Sequence, residues 1–112
     1  MSTVAVRLFA DDPRSLVRFI VDVFDAEGAY CEGRPSMLRV GDSDLMVAGT
    51  QARAATNTVL YVYVADADRT YHRAIAAGAT CVEEPSDTPW GDRRAIVSDR
   101  FGTTWQIAAK QI

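Results

Sequence analysis

Few side chains in this sequence are equipped for chemistry, and their spacing narrows the choice further. There is one histidine, His72, and two cysteines, Cys31 and Cys81, fifty residues apart. Neither cysteine has a neighbouring histidine or belongs to a Cys-x-x-Cys pair, so nucleophilic catalysis and thiolate zinc sites both lack parts. Both cysteines read as small packing residues. No glycine-rich phosphate loop or dinucleotide fingerprint occurs. Glu83-Glu84 stands just before Pro85 and reads as a solvated turn rather than an acid/base dyad. Asp66 and Asp68 read as caps on a helix, where carboxylates meet unpaired amides. His72, beside Arg73 in that helix, reads as a partly exposed surface residue. No cofactor is expected.

Composition excludes further classes. The chain has 112 residues, 48% apolar and 24% charged, the balance of an ordinary globular domain. Fifteen acids against twelve bases leave a net charge of −3, with both signs interspersed. Arg93-Arg94 is the nearest approach to a basic cluster, and Asp92 flanks it. Nucleic-acid binding draws on a basic face, so no nucleic-acid partner is expected. No apolar run approaches the ~20 residues of a membrane helix, so no membrane partner is expected. The opening Met-Ser-Thr-Val-Ala-Val has neither a basic leader nor an apolar signal core. The expectation is a cytoplasmic protein with reduced cysteines.

The elements that position these residues come as a repeat. Ala10-Asp-Asp-Pro-Arg-Ser-Leu-Val-Arg-Phe-Ile20 matches Ala65-Asp-Ala-Asp-Arg-Thr-Tyr-His-Arg-Ala-Ile75, and Gly28-Ala-Tyr-Cys31 echoes Gly78-Ala-Thr-Cys81. The offset changes from 55 to 50 between the two blocks, as a longer helix in the first half would require. Thr3–Ala10 and Asn57–Ala65 are rich in Val, Leu, Phe and Tyr and predict strands. A helix comes after each, opened in the first half by Pro13 and closed in the second by Gly78. Leu16, Phe19, Ile20, Val23 and Phe24 make one apolar stripe, and Tyr71, Ala74 and Ile75 make the other. Three short strands are predicted after each helix, over 28–33, 36–41 and 44–48, then 79–83, 92–98 and 103–109. Residues 49–56 make the linker between module 1 (1–48) and module 2 (57–112). The fold class is α+β, a single domain over 1–112 built from tandem βαβββ modules.

That duplicated order resembles the vicinal-oxygen-chelate superfamily, the glyoxalase / bleomycin-resistance / extradiol-dioxygenase fold, over nearly the whole chain. Leu60-Tyr-Val-Tyr-Val64, Ala77-Gly-Ala79, Thr88-Pro-Trp-Gly-Asp-Arg-Arg-Ala95 and Asp99-Arg-Phe-Gly-Thr-Thr-Trp-Gln106 look like its PhnB-like bleomycin-resistance branch. The resemblance implies curved sheets around a ligand cavity, with helices on the convex side. Strand alternation then sorts core from cavity. Leu60, Val62, Val64, Trp105 and Ile107 fall to the core. Val59, Tyr61, Tyr63, Thr104, Gln106 and Ala108 fall to the cavity. In the first strand either Ala5, Arg7 and Phe9 or Val4, Val6 and Leu8 face the cavity. The former is preferred, because it spares the core an unpaired guanidinium.

Metal-dependent members of that superfamily take His and Glu ligands from the first and last strands of each module. The matching positions here hold Ala5 (or Val4), Val59 and Gln106, which cannot replace an ion's hydration shell, so no metal site is expected. The resemblance leaves an aromatic cavity. Trp90, in a long connection between Pro89 and Gly91, could stack on a planar ligand or instead close a dimer seam. Tyr61 and Tyr63 could orient a ligand or simply pack, and Arg7 could pair with an anionic group or simply be exposed. The expected ligand-binding set is Trp90, Tyr61, Tyr63, Gln106, Arg7 and Phe9, with no catalytic residue. The expected partners are a planar or aromatic small molecule and, by the resemblance, a second copy of the chain in a homodimer. Sequestration of a compound such as an antibiotic is one reading. An enzyme of the same superfamily (lyase, isomerase or dioxygenase) with an unusual or absent metal site is another, and a ligand-free partner domain is a third.

Overall fold

The computed structural model describes residues 4–51 and 57–111. The chain divides into two compact units, Met1–Thr56 and Asn57–Ile112. Each is α+β, with one sheet and one helix.

The first unit runs β1 (Ala5–Ala10), α1 (Pro13–Phe24), β2 (Ser36–Val40) and β3 (Ser43–Gly49). Its sheet has the order β1-β3-β2, with β1 parallel and β2 antiparallel to β3. Asp12 caps α1 by accepting from the Ser15 amide at 3.1 Å and the Ser15 hydroxyl at 2.7 Å. Pro13 stands at the first helical position, where no amide donor is missed. The buried stripe of α1 (Leu16, Val17, Phe19, Ile20, Val23 and Phe24) meets a sheet face made by Leu8, Leu38, Leu45 and Val47. Leu8 and Ala10 are buried while Arg7 is exposed, so alternation puts Arg7 and Phe9 on the face away from the helix.

One predicted strand is absent. Residues 28–31 are irregular and 32–33 form a turn, and among the described residues only the bridge from Glu27 to Arg39 ties this segment to β2. Gly28 sits at φ +116°, and a Cβ there would come within 2.4 Å of the Met37 carbonyl oxygen. The chain swings off the ladder at that point. The Cys31 amide then donates to the Ser36 hydroxyl at 2.8 Å instead of to a strand partner. The first unit is therefore βαββ, and Cys31 is a half-buried loop residue rather than a strand packing residue. Of the predicted linker, Gly49 ends β3 and Thr50-Gln51 form a turn; residues 52–56 lie outside the described residues, as does Thr3 of the predicted first strand.

The second unit is βαβββ: β4 (Thr58–Tyr63), α2 (Ala67–Ala76), β5 (Thr80–Asp87), β6 (Asp92–Ser98) and β7 (Thr103–Lys110). Its sheet has the order β4-β7-β6-β5, with β4 parallel to β7 and the other pairs antiparallel. Asp66 caps α2 through the Arg69 amide at 3.1 Å. Asp68, expected as a second cap, instead takes the Arg93 guanidinium at 3.1 Å. The helix ends where Gly78 turns to φ +103°. Trp105, Ile107, Ala95 and Val97 are buried, with Ala67, Tyr71 and Ala74 of α2 on the same side of the sheet.

Glu83 and Glu84 lie in β5, not in a turn. As an edge strand β5 pairs only with β6, so Pro85 costs no ladder bond on its outer side, and a register shift between Glu83 and Ser86 spans it. Cys81 is exposed on this strand, not a packing residue. A hydrogen bond to Cys81, and after it burial, pushes the Tyr71 phenol up to about 12. His72 is exposed and edge-on to the Tyr71 ring, at 5.4 Å between centroids.

Candidate functional site

Alternation along β4, β6 and β7 lays out the face of the second sheet that α2 does not cover. Val59, Tyr61 and Tyr63 pair in register with Thr104, Gln106 and Ala108. Ala108, Gln106 and Thr104 pair in turn with Arg94, Ile96 and Ser98, while Asp92 pairs with Lys110. The adjacent Arg93-Arg94 pair is thereby split. Arg93 points to the α2 side and binds Asp68 and Asp87, whereas Arg94 joins the tyrosine face. The two arginines form no basic cluster.

A buried carboxylate organises this face. Asp92 is only 2% exposed, and its Oδ2 accepts from the Tyr61 hydroxyl at 2.6 Å, the Tyr63 hydroxyl at 3.1 Å and the Trp90 indole N–H at 3.2 Å. The Tyr61 bond first, then those of Tyr63 and Trp90 and the charge of Lys110, hold Asp92 below the usual carboxylate range against the opposing effect of burial. Burial and the bond to Asp92 push the Tyr61 and Tyr63 phenols upward. All three side chains thus keep one hydrogen-bonded arrangement near neutral pH: ionised Asp92 and two neutral phenols. The rings of Tyr61 and Tyr63 are tilted against each other at 5.3 Å.

Trp90 sits at the tip of the β5–β6 connection. That connection is short rather than long, spanning only Thr88–Gly91. Thr88 closes it twice: its amide donates to the Asp92 carbonyl at 2.8 Å, and its hydroxyl accepts from the Asp92 amide at 2.9 Å. Gly91 takes φ +96° to complete the reversal. The indole is 61% exposed, yet its N–H is shared between Asp92 and the Tyr61 hydroxyl at 3.3 Å. The Arg94 guanidinium lies over the ring at 5.2 Å. Arg94 also donates to Gln106 Oε1 at 3.3 Å and approaches Glu83 at 3.5 Å, while its Nε is buried without a hydrogen-bond partner.

Of the residues expected from sequence, Trp90, Tyr61, Tyr63 and Gln106 come together in the second unit. Arg7 and Phe9 belong to the first, where the Arg7 guanidinium stacks on the Phe9 ring at 5.0 Å. Sequence reasoning missed Asp92 and Arg94. The signal was available, since a strand over 92–98 puts both on the face of Gln106. A metal does not fit this site. Val59 and Gln106 stand at the implied ligand positions of the second unit, and no group of three His, Cys, Asp or Glu among the described residues can hold an ion.

The carboxylate-centred arrangement makes a checkable prediction. In Asp92→Asn the phenols of Tyr61 and Tyr63 lose a charged acceptor, so their ionisation is expected to move down toward the ordinary 10.0. A spectrophotometric tyrosine titration reads this directly, and superimposable curves for variant and wild type would refute it. Because the Asp92 carboxyl is held low in the folded state, its stabilising share is present above the usual carboxylate pKa. It is lost as pH falls through the depressed folded value, and Asp92→Asn should flatten that acid limb.

Comparison with known proteins agrees with this architecture. The Glyoxalase/Bleomycin resistance protein/Dioxygenase superfamily profile matches residues 3–107. An uncharacterized protein of Mycobacterium bovis is 30% identical over 89% of this chain and 78% of its own length. The crystal structure of TioX from Micromonospora sp. ML1 superposes with a TM-score of 0.83 at 30% identity, covering 98% of this chain and 99% of that one. Lactoylglutathione lyase from Agrobacterium tumefaciens shares the fold at a TM-score of 0.76 and 19% identity, over 96% of this chain and 92% of its own. No helix among the described residues is long and apolar enough to cross a membrane. The chain belongs to the Glyoxalase/Bleomycin resistance protein/Dioxygenase superfamily.

Proposed function

We propose that this protein binds a planar or aromatic small molecule and sequesters it unchanged, as a bleomycin-resistance-type protein of the PhnB-like branch. In this reading it is a cytoplasmic homodimer that uses no metal or other cofactor. The observation that carries the proposal is Trp90, a large ring left 61% exposed yet fixed by Asp92, Tyr61 and Arg94. A ring ordered before binding loses little entropy when a ligand stacks on it. Tyr61 and Tyr63 extend the aromatic surface, and Gln106 supplies amide hydrogen-bonding groups beside it. Arg7 and Phe9, also proposed as ligand-binding residues, belong to the first unit, where the guanidinium stacks on the ring. The donor set favours binding over metal-dependent chemistry, since no convergent ligands are available among the described residues.

The functional test is titration with a panel of planar compounds, glycosylated aromatic antibiotics included, monitored by tryptophan emission. A true ligand is expected to quench Trp90 and raise the melting temperature. If no member of the panel does either, the sequestering role fails. Native mass spectrometry is expected to give twice the 12.2 kDa chain with no metal increment. A monomer at micromolar concentration, or a stoichiometric divalent ion, would overturn those parts of the proposal.

A further inference from the structure

The first unit contains a cavity of about 320 Å³ that the aromatic platform does not use. Pro13, Tyr30 and Pro35 contribute apolar wall, and the charged side chains lining it are Arg7, Arg34 and Glu32. The single acid is already engaged. Glu32 accepts from the Tyr30 hydroxyl at 3.0 Å and faces the Arg14 guanidinium at 3.9 Å. Arg14 in turn lies over the Tyr30 ring at 4.6 Å, so the negative charge is turned toward its own cation. The two lining arginines have no carboxylate partner among the described residues. Arg34 donates through Nε to the Cys31 sulfur at 3.0 Å, and Arg7 rests on the Phe9 ring. Each fork keeps its terminal N–H groups available, and guanidinium forks match the oxygen spacing of a carboxylate or phosphate. The surrounding charge works against casual anion binding, because the chain carries −3 overall.

We infer that this cavity is a binding site for a small organic anion, with an oxyanion head held by Arg7 and Arg34 and an apolar body against Pro13, Tyr30 and Pro35. Arg7 thereby gains a defined pocket with a second cation in its lining. The site lies in the first unit alone, so it stands or falls separately from the stacking role of Trp90.

Calorimetric titration of the intact protein at low ionic strength tests it, with phenylacetate, phenyl phosphate, inorganic phosphate and the neutral phenylacetamide as probes. At least one aryl anion is expected to bind, more tightly than inorganic phosphate, while the amide does not. Arg7→Gln and Arg34→Gln are each expected to weaken binding by about tenfold or more, as loss of a charge-assisted hydrogen bond does. Arg69→Gln, the same charge change on the exposed surface of α2, should leave it unchanged. Added salt should also weaken binding. A second readout locates the site without any substitution. The bound anion should slow iodoacetamide labelling of Cys31, in the cavity wall, and leave exposed Cys81 unaffected. Equal binding of amide and anion, wild-type affinity in both arginine variants, or no protection of Cys31 would each overturn the inference.

Discussion

Trp105→Ala is expected to remove roughly 3–5 kcal/mol of folding stability, the range for a large aromatic cut out of a packed core. Trp105 heads the fully buried side chains at 1% exposure, in register between Leu60 of β4 and Val97 of β6. Its loss does more than open a cavity. The indole N–H donates to Asp99 Oδ2 at 2.8 Å, while Oδ1 of the same carboxylate holds the Phe101 and Thr103 amides at 2.9 and 3.0 Å. Asp99 therefore ties the β6–β7 turn to the core, and alanine leaves half of a buried carboxylate without its donor. Since whole domains are stable by only about 5–15 kcal/mol, the variant should melt roughly 10–25 °C lower or fail to fold. Trp105→Phe separates the two contributions, because it refills much of the volume and still strands Asp99 Oδ2. It should fall between wild type and alanine in a thermal melt. A melting temperature within a few degrees of wild type for Trp105→Ala would remove Trp105 from the core.

This division of labour between the two tryptophans was legible because it rests on strand period. In β7 the alternation Thr104, Gln106 against Trp105, Ile107 is unbroken, and no side chain on the α2 side is charged. The first strand was ambiguous for a physical reason. Identity aligns the two halves at an offset of 55, yet the helix caps are Asp12 and Asp66, an offset of 54. The cap carboxylate, not the matched side chains, fixes where each helix starts. One residue of slip inverts every face in the strand before it. Counting from the caps aligns Arg7 and Phe9 with Tyr61 and Tyr63. The predicted strand over 28–33 fails through a similar local fact. Gly28 and Gly78 share positive φ, but the chain after Gly28 is anchored to the Ser36 hydroxyl, whereas the chain after Gly78 continues as β5.

The site was less legible than the fold. Asp92 reads in sequence as one more acid next to two arginines, and nothing in its neighbours tells of three donors arriving from β4 and the turn. The donors are 31, 29 and 2 residues away, and only the β4-β7-β6 order brings Tyr61 and Tyr63 to it. Likewise a Pro-Trp-Gly tip suggests an exposed ring, but not that its N–H is spent on a carboxylate. That detail alters the chemistry available to a ligand. The indole N–H is engaged and one face carries a guanidinium, so what remains to offer is ring surface.

Trp90→Ala is accordingly expected to weaken a stacking ligand by about ten- to a hundredfold. Ring stacking contributes roughly 0.5–1.5 kcal/mol beyond area burial, the buried area adds a comparable amount, and each 1.4 kcal/mol is a factor of ten. Arg94 already occupies the ring's attraction for cations, so a neutral planar ligand should gain more from Trp90 than a cationic one. The cost in folding stability should be small, because the ring is largely exposed and Asp92 keeps the Tyr61 and Tyr63 hydroxyls after the indole is gone. Trp90→Phe is the sharper probe. It retains a stacking ring and deletes only the N–H, so affinity should stay within a few-fold of wild type if stacking is the function. Calorimetric titration of both variants with any compound that quenches the wild-type protein decides the matter, with melting temperatures as the stability control. Unchanged affinity in Trp90→Ala would move the ligand onto Tyr61 and Tyr63. A large fall in melting temperature with the same substitution would make Trp90 a structural clasp on Asp92 rather than a platform.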